Sequence, residues 1–329
     1  MSKSVFVIGQ KFWAGRLKEV LNQYGSPGLH VTALQVGGGI GGLRNWVQAF
    51  GADVFVRVGL RPGSSTLRGR AFDLLWSVLR TLTPNAKTIY YWIGTDVSQT
   101  LAAMHAGTIS AGTIRDLQRS LHVADAQWLA DELSSVGIEA SVQRLPGALA
   151  QPQTLDPLPG IFRVMTYIPD VRYRFYGGLD LFEAARQLPS VTFDVVGGTG
   201  TWIPHPLPNL AFHGWQKDLT SFYQKATVVL RLVEHDGLGA TAVEALLFGR
   251  YVLYSYPLPH STLIPFGDTS RLIETLRSFS VRHQAGTLAP NTAGQTWAAT
   301  AFDPQTEGRH LADLVLTAAA GNTVSKLTS

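Results

Sequence analysis

Strand-like and helix-like segments alternate along nearly the whole sequence, and few folds accommodate that order. "SVFVIG" is β-branched and ends in Gly9, and "AGRLKEVLNQYG" follows with Leu17, Val20 and Leu21 at helical spacing before Gly25. "HVTALQVG" reads as a second strand, "LRNWVQAFG" as a short helix, and "ADVFVRVG" and "KTIYYWIG" as the next strands. "VADAQWLADELSSVG" reads as a helix, with "IEASVQRLPG" as the strand leaving it. Repetition of this kind builds parallel strands whose crossover helices cover both sheet faces.

One stretch breaks the rhythm. "LPGALAQPQTLDPLPG" holds four prolines and little periodicity, so it reads as an inter-domain linker. The alternation then restarts with "IFRVMTYI", "GGLDLFEAARQLP", "VTFDVVGG", "LAFHGW", "KDLTSFYQKA" and "TVVLRLV". The expected architecture is α/β: two doubly wound, Rossmann-like domains facing a central cleft, residues 1–147 and 148–329. Past Pro265 the text is less periodic until "PQTEGRHLADLVLTAAAG", a final helix that either closes the second domain or packs back on the first.

Composition narrows the function classes. With 45% hydrophobic and 15% charged residues over 329 positions, the chain can bury a large interior. No apolar run approaches the ~18 residues of a membrane span, and the N-terminus reads as a strand rather than a signal peptide. Zero cysteines exclude disulfides, thiolate metal sites and cysteine nucleophiles and fit a reducing cytoplasm. The formal charge of +4 suits anionic partners, but no basic run indicates nucleic acid. The nine histidines show no metal-binding spacing, so no metal is expected.

Ligands of such sheets bind beyond the carboxyl ends of the strands, where backbone amides and helix N-termini point. That rim includes "HDGLGATAVEALLFGRYVLYS", in which Asp236 precedes two glycines and a helix that contains Glu244. Two readings compete. Thr241 and Glu244 have the T-x-x-E spacing of a capping box. Alternatively, Gly237 and Gly239 bring backbone amides close to an anionic phosphate, and the carboxylate accepts bonds from sugar hydroxyls.

The stretch resembles the E-x7-E signature of retaining glycosyltransferases of family 4, which have the GT-B fold. Here the signature runs from Asp236 to Glu244, with Asp in place of the first Glu. The resemblance extends from Lys87 to Ser255 through "VADAQWLADELSSVGIEASVQRLPGAL", "FRVMTYIPDVRYRFYGGLDLFEAARQLPSVTFDVVGGTG" and "NLAFHGWQKDLTSFYQKATVVLRL". It implies a nucleotide-sugar donor on the C-terminal half and an acceptor on the N-terminal half. Glu244 would hold the ribose and Asp236 would lie near the transferred sugar. The amides of Gly239, Ala240 and Thr241 would meet the diphosphate. A basic residue from "DVRYRFYGG" would neutralise it, Arg174 being preferred and Arg172 the reserve, with Tyr176 where the family often has Lys. Arginine suits that task through its bidentate fork.

Other rim positions carry weaker signals. Gly198 in "GGTG", and Gly214 and Trp215 in "HGW", are candidates for contact with the base, against turn glycines and a buried tryptophan. On the acceptor side stand Gly9 and Asp96; Asp96 is equally a helix cap, and Ile93 occupies the place of the family's histidine. "GGGIGG", Gly37 to Gly42, reads as a mobile loop. "RVGLRPGSSTLRGR" reads as a flexible basic loop bearing Arg57, Arg61, Arg68 and Arg70. The functional expectation is a metal-independent, retaining transfer of a sugar from a UDP- or GDP-type donor, with no cofactor. The acceptor would be a carbohydrate, a lipid-linked or a small molecule, and the place the cytoplasm, with peripheral contact to an anionic inner membrane face as a variant. A non-catalytic nucleotide- or partner-binding module and a sugar-nucleotide epimerase on the same fold are the alternatives.

Overall fold

The computed structural model describes residues 2–9, 11–35, 46–63, 67–144 and 155–320. The chain divides into two compact units, Met1–Gly147 with Pro304–Ser329, and Ala148–Asp303. "GGGIGG" and most of the proline-rich linker lie outside the described residues.

The first unit holds β1 (Lys3–Gly9), β2 (Leu29–Gln35), β3 (Val54–Val58), β4 (Lys87–Trp92), β5 (Leu121–Ala124) and β6 (Ser141–Val142). They form one sheet in the order β2-β1-β3-β4-β5-β6, with every pairing parallel. Val5, Val7 and Ile8 of β1 and all five residues of β3 are buried, as expected of strands covered on both faces. The helices are α1 (Lys11–Tyr24), α2 (Leu67–Leu82), α3 (Thr95–His105), α4 (Ala111–Arg119) and α5 (Gln127–Ser134).

The second unit repeats the plan. Its strands are β7 (Arg163–Tyr167), β8 (Thr192–Val196), β9 (Leu210–Phe212), β10 (Val228–Arg231), β11 (Tyr251–Tyr254) and β12 (Thr262–Leu263). Their order is β12-β11-β10-β7-β8-β9, again parallel, so the topology reverses between β7 and β10. Its helices are α6 (Gly178–Gln187), α7 (Thr220–Lys225), α8 (Ala240–Leu247), α9 (Thr269–Gln284) and α10 (Thr292–Ala301). Leu181, Leu272 and Leu276 of α6 and α9 join Phe193, Val195, Leu230 and Leu253 of the sheet in one core.

The final helix, α11 (Pro304–Ala319), belongs to the first unit. Its Leu311, Val315 and Ala318 enter the core that contains Leu17 and Val20 of α1, and Gly308 lets Tyr24 of α1 lie directly against its backbone.

Four local expectations are corrected. Residues 121–124 are strand β5, and the following helix starts only at Gln127; four residues are too short a run to show a period. The strand expected in "IEASVQRLPG" shrinks to Ser141–Val142. The text past Pro265 contains the 16-residue α9, whose Leu272, Ile273, Leu276 and Phe279 are buried at helical spacing. The expected basic loop is no single loop. Arg57 lies buried on β3, its guanidinium 4.8–5.2 Å from the ring centres of Phe72, Trp76 and Tyr90, and Arg68 and Arg70 belong to α2.

Candidate functional site

The carboxyl edge of the second sheet is cross-linked by polar side chains. Asp170, just beyond β7, accepts bonds from the backbone N–H groups of Thr199, Gly200 and Thr201 and from the Thr199 hydroxyl, at 2.8–3.3 Å. Slight burial raises its pKa, but these donors outweigh that and hold the carboxyl below its ordinary range. Gly198 is required at this joint, since a Cβ there would stand 2.5 Å from the Ile168 carbonyl oxygen. The loops after β8 and β9 are tied in turn: Gly197 N–H donates to the Gly214 carbonyl at 2.7 Å and Gly214 N–H to the Gly198 carbonyl at 3.0 Å. Trp215 at the tip of the second loop is 75% exposed, which corrects the reading of a buried tryptophan.

Arg231 ends β10 and aims its guanidinium fork at Asp236. Nε and Nη2 each donate to one carboxylate oxygen at 2.8 Å, a bidentate pair in which the side chains are 14% and 13% exposed. Burial disfavours the guanidinium charge; the adjacent Asp236 carboxylate overcomes this and raises the arginine's pKa. The Tyr254 hydroxyl lies 2.9 Å from both Asp236 Oδ2 and the Gly237 carbonyl, and accepts the Gly239 N–H at 3.2 Å. A Cβ on Gly239 would stand 2.8 Å from Arg231 Nε and 3.1 Å from Asp236 Oδ2. Gly239 therefore makes room for the ion pair as well as for any ligand. The Arg231 guanidinium also lies 5.6 Å from the ring centre of Tyr176, with that of Arg172 5.7 Å from the same centre. Glu234 N–H donates to the Phe175 carbonyl at 3.0 Å, which holds the loops after β7 and β10 together.

Helix α8 begins at Ala240 with Gly239 as its N-cap and no side-chain cap. The capping-box reading of Thr241 and Glu244 is thereby corrected. Thr241 is already helical, whereas a capping threonine stands outside the helix. Its hydroxyl is buried and has no hydrogen-bond partner among the described residues. The N–H groups of Ala240 and Thr241 also bond to no described residue, as first-turn donors do when nothing caps them. Glu244 instead accepts the Tyr223 hydroxyl of α7 through Oε2 at 2.5 Å. Its other oxygen accepts nothing from the described residues. Burial pushes the Glu244 carboxyl above its ordinary pKa, against the opposing hydrogen bond from Tyr223.

The edge thus gathers Arg172, Tyr176, Arg231, Asp236, Gly237, Gly239 and the start of α8. Arg174 is exposed elsewhere, its guanidinium 5.4 Å from the ring centre of Tyr173, which stacks on Trp202. Sequence reasoning missed Arg231, Asp170, Tyr223 and Tyr254. Only Arg231 had a signal, a lone cation within the apolar run "TVVLRLV".

Gly9 and Asp96 lie in the first unit and serve its packing. A Cβ on Gly9 would stand 2.6 Å from Val58, its neighbour on β3. Asp96 turns back to accept the Ile93 N–H at 3.1 and 3.3 Å, and burial raises its pKa to about 6. Among the described residues no group of three or more His, Asp or Glu could hold a metal, and no helix is long and apolar enough to cross a membrane.

No protein-family model matches the chain, and no curated protein sequence does. Solved structures do. HepE of Anabaena, in complex with UDP-glucose, matches over 95% of this chain and 99% of its own, with a TM-score of 0.68 at 13% identity. The chain has the GT-B fold. A glycosyltransferase of Rickettsia africae matches over 98% of this chain and 100% of its own, with a TM-score of 0.64 and 12% identity. Sucrose-phosphate synthase of Thermosynechococcus elongatus matches over 97% of both chains, with a TM-score of 0.59 and 13% identity. The two Rossmann-like units described above are the two halves of that fold.

Proposed function

We propose that this protein transfers a sugar from a nucleoside-diphosphate sugar to an acceptor, with retention at the anomeric carbon and without a metal. The observation that carries this reading is the start of α8. Unbonded Ala240 and Thr241 amides and a buried, unpartnered Thr241 hydroxyl stand a few residues before a carboxylate with one unclaimed oxygen. Donors at a helix N-terminus suit phosphate oxygens, and a carboxylate suits a ribose diol. Further support is that HepE, alike in fold over 95% of this chain, was solved with UDP-glucose.

In this reading Glu244 holds the ribose, and Tyr223 fixes the rotamer of its carboxylate. The departing diphosphate gains negative charge, which the α8 amides and a nearby guanidinium stabilise without reorganising. Arg231 is the buried cation at this edge, and Arg172 lies beside the same tyrosine; both join Arg174 as candidates for that role. Asp236, already charge-matched by Arg231, orients that guanidinium and presents its carboxylate edge toward the sugar. Gly198, Gly214 and exposed Trp215 are the candidates for contact with the base. The acceptor is a carbohydrate, a lipid-linked or a small molecule bound by the first unit.

The test is a thermal-shift series at saturating ligand. UDP, GDP and their sugars should raise the melting temperature more than UMP or GMP, and at least one donor should be hydrolysed or transferred with chelator present. Equal or absent shifts across the series would overturn the donor site. Activity lost to chelator and restored by a divalent ion would overturn the metal-free mechanism.

A further inference from the structure

Helix α2 is apolar on two sides. Phe72, Trp76 and Leu79 face inward and pack with Phe6, Ile8 and Phe55 of the sheet. Leu67, Leu74, Leu75, Val78 and Leu82 face outward. At ~100° per residue these five fall within one stripe about 100° wide. Leu67 is 85% exposed, Leu74 69% and Leu82 58%. A single exposed leucine needs no explanation, but five large apolar side chains along one helix face form a contiguous patch, and such patches mark a partner.

The flank of the stripe is basic. A cavity of about 680 Å³ opens beside Leu74, Ser77 and Thr81 of α2 and is lined by Arg80, Lys87, Arg115 and Arg119. A second, of about 700 Å³, shares Asp73, Ser110 and Thr113 with it and is lined by Arg61 and Arg70. Among the described residues the acids lining the two cavities are Asp73 and Asp116, and Asp116 already accepts bonds from Trp76 and Tyr90 and lies 3.6 Å from Arg80. An apolar stripe with a cationic flank is the pattern of a helix lying in the interface of an anionic bilayer. Pairing with a second copy would instead bring like-charged flanks together.

We propose that α2 docks the first unit on the surface of an anionic lipid bilayer. The stripe enters the boundary of the acyl chains, and Arg61, Arg70, Lys87, Arg115 and Arg119 meet lipid phosphates, while Arg80 is held by the Thr83 and Ala86 carbonyls. The helix lies in the plane of the membrane, since its 16 residues span only about 24 Å. This surface belongs to the first unit and the proposed donor site to the second, so the docking goes beyond the proposed reaction and does not depend on it.

Co-flotation with vesicles tests the proposal. The intact protein should float with phosphatidylcholine vesicles containing about one-third phosphatidylglycerol, and far less with phosphatidylcholine alone. Leu74→Glu with Val78→Glu should lower binding at least about 10-fold, because both charges would enter the apolar boundary. Arg115→Gln with Arg119→Gln should lower binding to the anionic vesicles by about 5-fold per charge removed. Circular dichroism should be unchanged in both variants, whose replaced side chains point away from the core. Failure of the intact protein to bind the anionic vesicles would overturn the proposal, as would binding indifferent to both variants. An intact protein that is a dimer and becomes a monomer with Leu74→Glu and Val78→Glu would assign the stripe to self-association and equally overturn it.

Discussion

At the carboxyl edge of the second sheet Asp170 and Tyr223 bond across loops around the candidate site, whereas at the same edge of the first Asp96 serves its own turn and the long-range bonds, Tyr91 to the Gln143 carbonyl and Gln143 to Glu307, tie β6 and the final helix to the unit. Asp170 spans about thirty residues of sequence to hold Thr199, Gly200 and Thr201, and Tyr223 reaches from α7 to Glu244. In the first unit Asp96 bonds to Ile93 only three residues away, and Gly9 serves strand packing. The same topology therefore carries two different edges. Cross-loop bonds hold groups in place before a ligand arrives, which electrostatic stabilisation requires. Local bonds only finish a turn. The first unit shows its unusual chemistry on α2 instead, an outward apolar face that its own core does not use.

Breaking the largely buried ion pair of the second unit should have the largest effect. Arg231→Ala leaves Asp236 without its bidentate partner and should cost about 4 kcal/mol in a denaturant titration. Donor-dependent thermal shifts should disappear as well. Arg231→Leu combined with Asp236→Leu should regain most of the stability and none of the donor binding. If stability returns together with binding, the pair is only a structural clip.

The local contact in the first unit should show itself in pH dependence. The pKa of Asp96 is raised in the fold to about 6 by burial, so its contribution is complete below the unfolded value near 4 and is lost as pH rises through 6. Asp96→Asn removes that loss. From pH 4 to pH 7 the variant should gain about 2 kcal/mol relative to the original protein, read from paired denaturation curves. A constant difference across that range would show that the carboxyl is not titrating in the fold.

Glu244→Gln sharpens the comparison without disturbing either fold. Glutamine keeps an acceptor for Tyr223 but loses the charge and replaces the open oxygen with a donor. Transfer should fall by about 10-fold or more, equivalent to about 1.4 kcal/mol, with melting almost unchanged. Transfer at the original rate would leave Glu244 with its contact to Tyr223 and nothing else.

The smallest effects separate the exposed arginines. Arg172→Ala should weaken donor binding by a few-fold and Arg174→Ala by less, since Arg172 shares Tyr176 with Arg231 while Arg174 lies over Tyr173. The reverse order would restore the preference drawn from the sequence.

Much of the architecture could be read from periodicity, because fully buried parallel strands such as β1 and β3 are continuous apolar runs. Short elements were misjudged, β5 being read as helix and β6 drawn too long, since both are too brief to carry a period. The site was only half legible. "DGLGATAVE" pointed to the loop and helix of the proposed site, but T-x-x-E spacing does not say where the helix starts, and the structure starts it one residue before Thr241. The partners of Asp236 and Glu244 could not be read either. Tyr223 and Tyr254 lie on other elements, and which side chains meet across a sheet edge depends on strand order. Arg57 was misread because cation–π stabilisation of a buried guanidinium depends on rings from α2 and β4 that are distant in sequence.

The return of α11 to the first unit sets an order on synthesis. Residues 148–303 form a continuous unit that can close once they have left the ribosome, whereas the first unit must wait for Leu311, Val315 and Ala318. The half that begins the chain is thus the last to be completed. Until α11 arrives, the surface of α1 that it covers stays open to solvent, and a nascent chain arrested before residue 304 would be the form most in need of a chaperone.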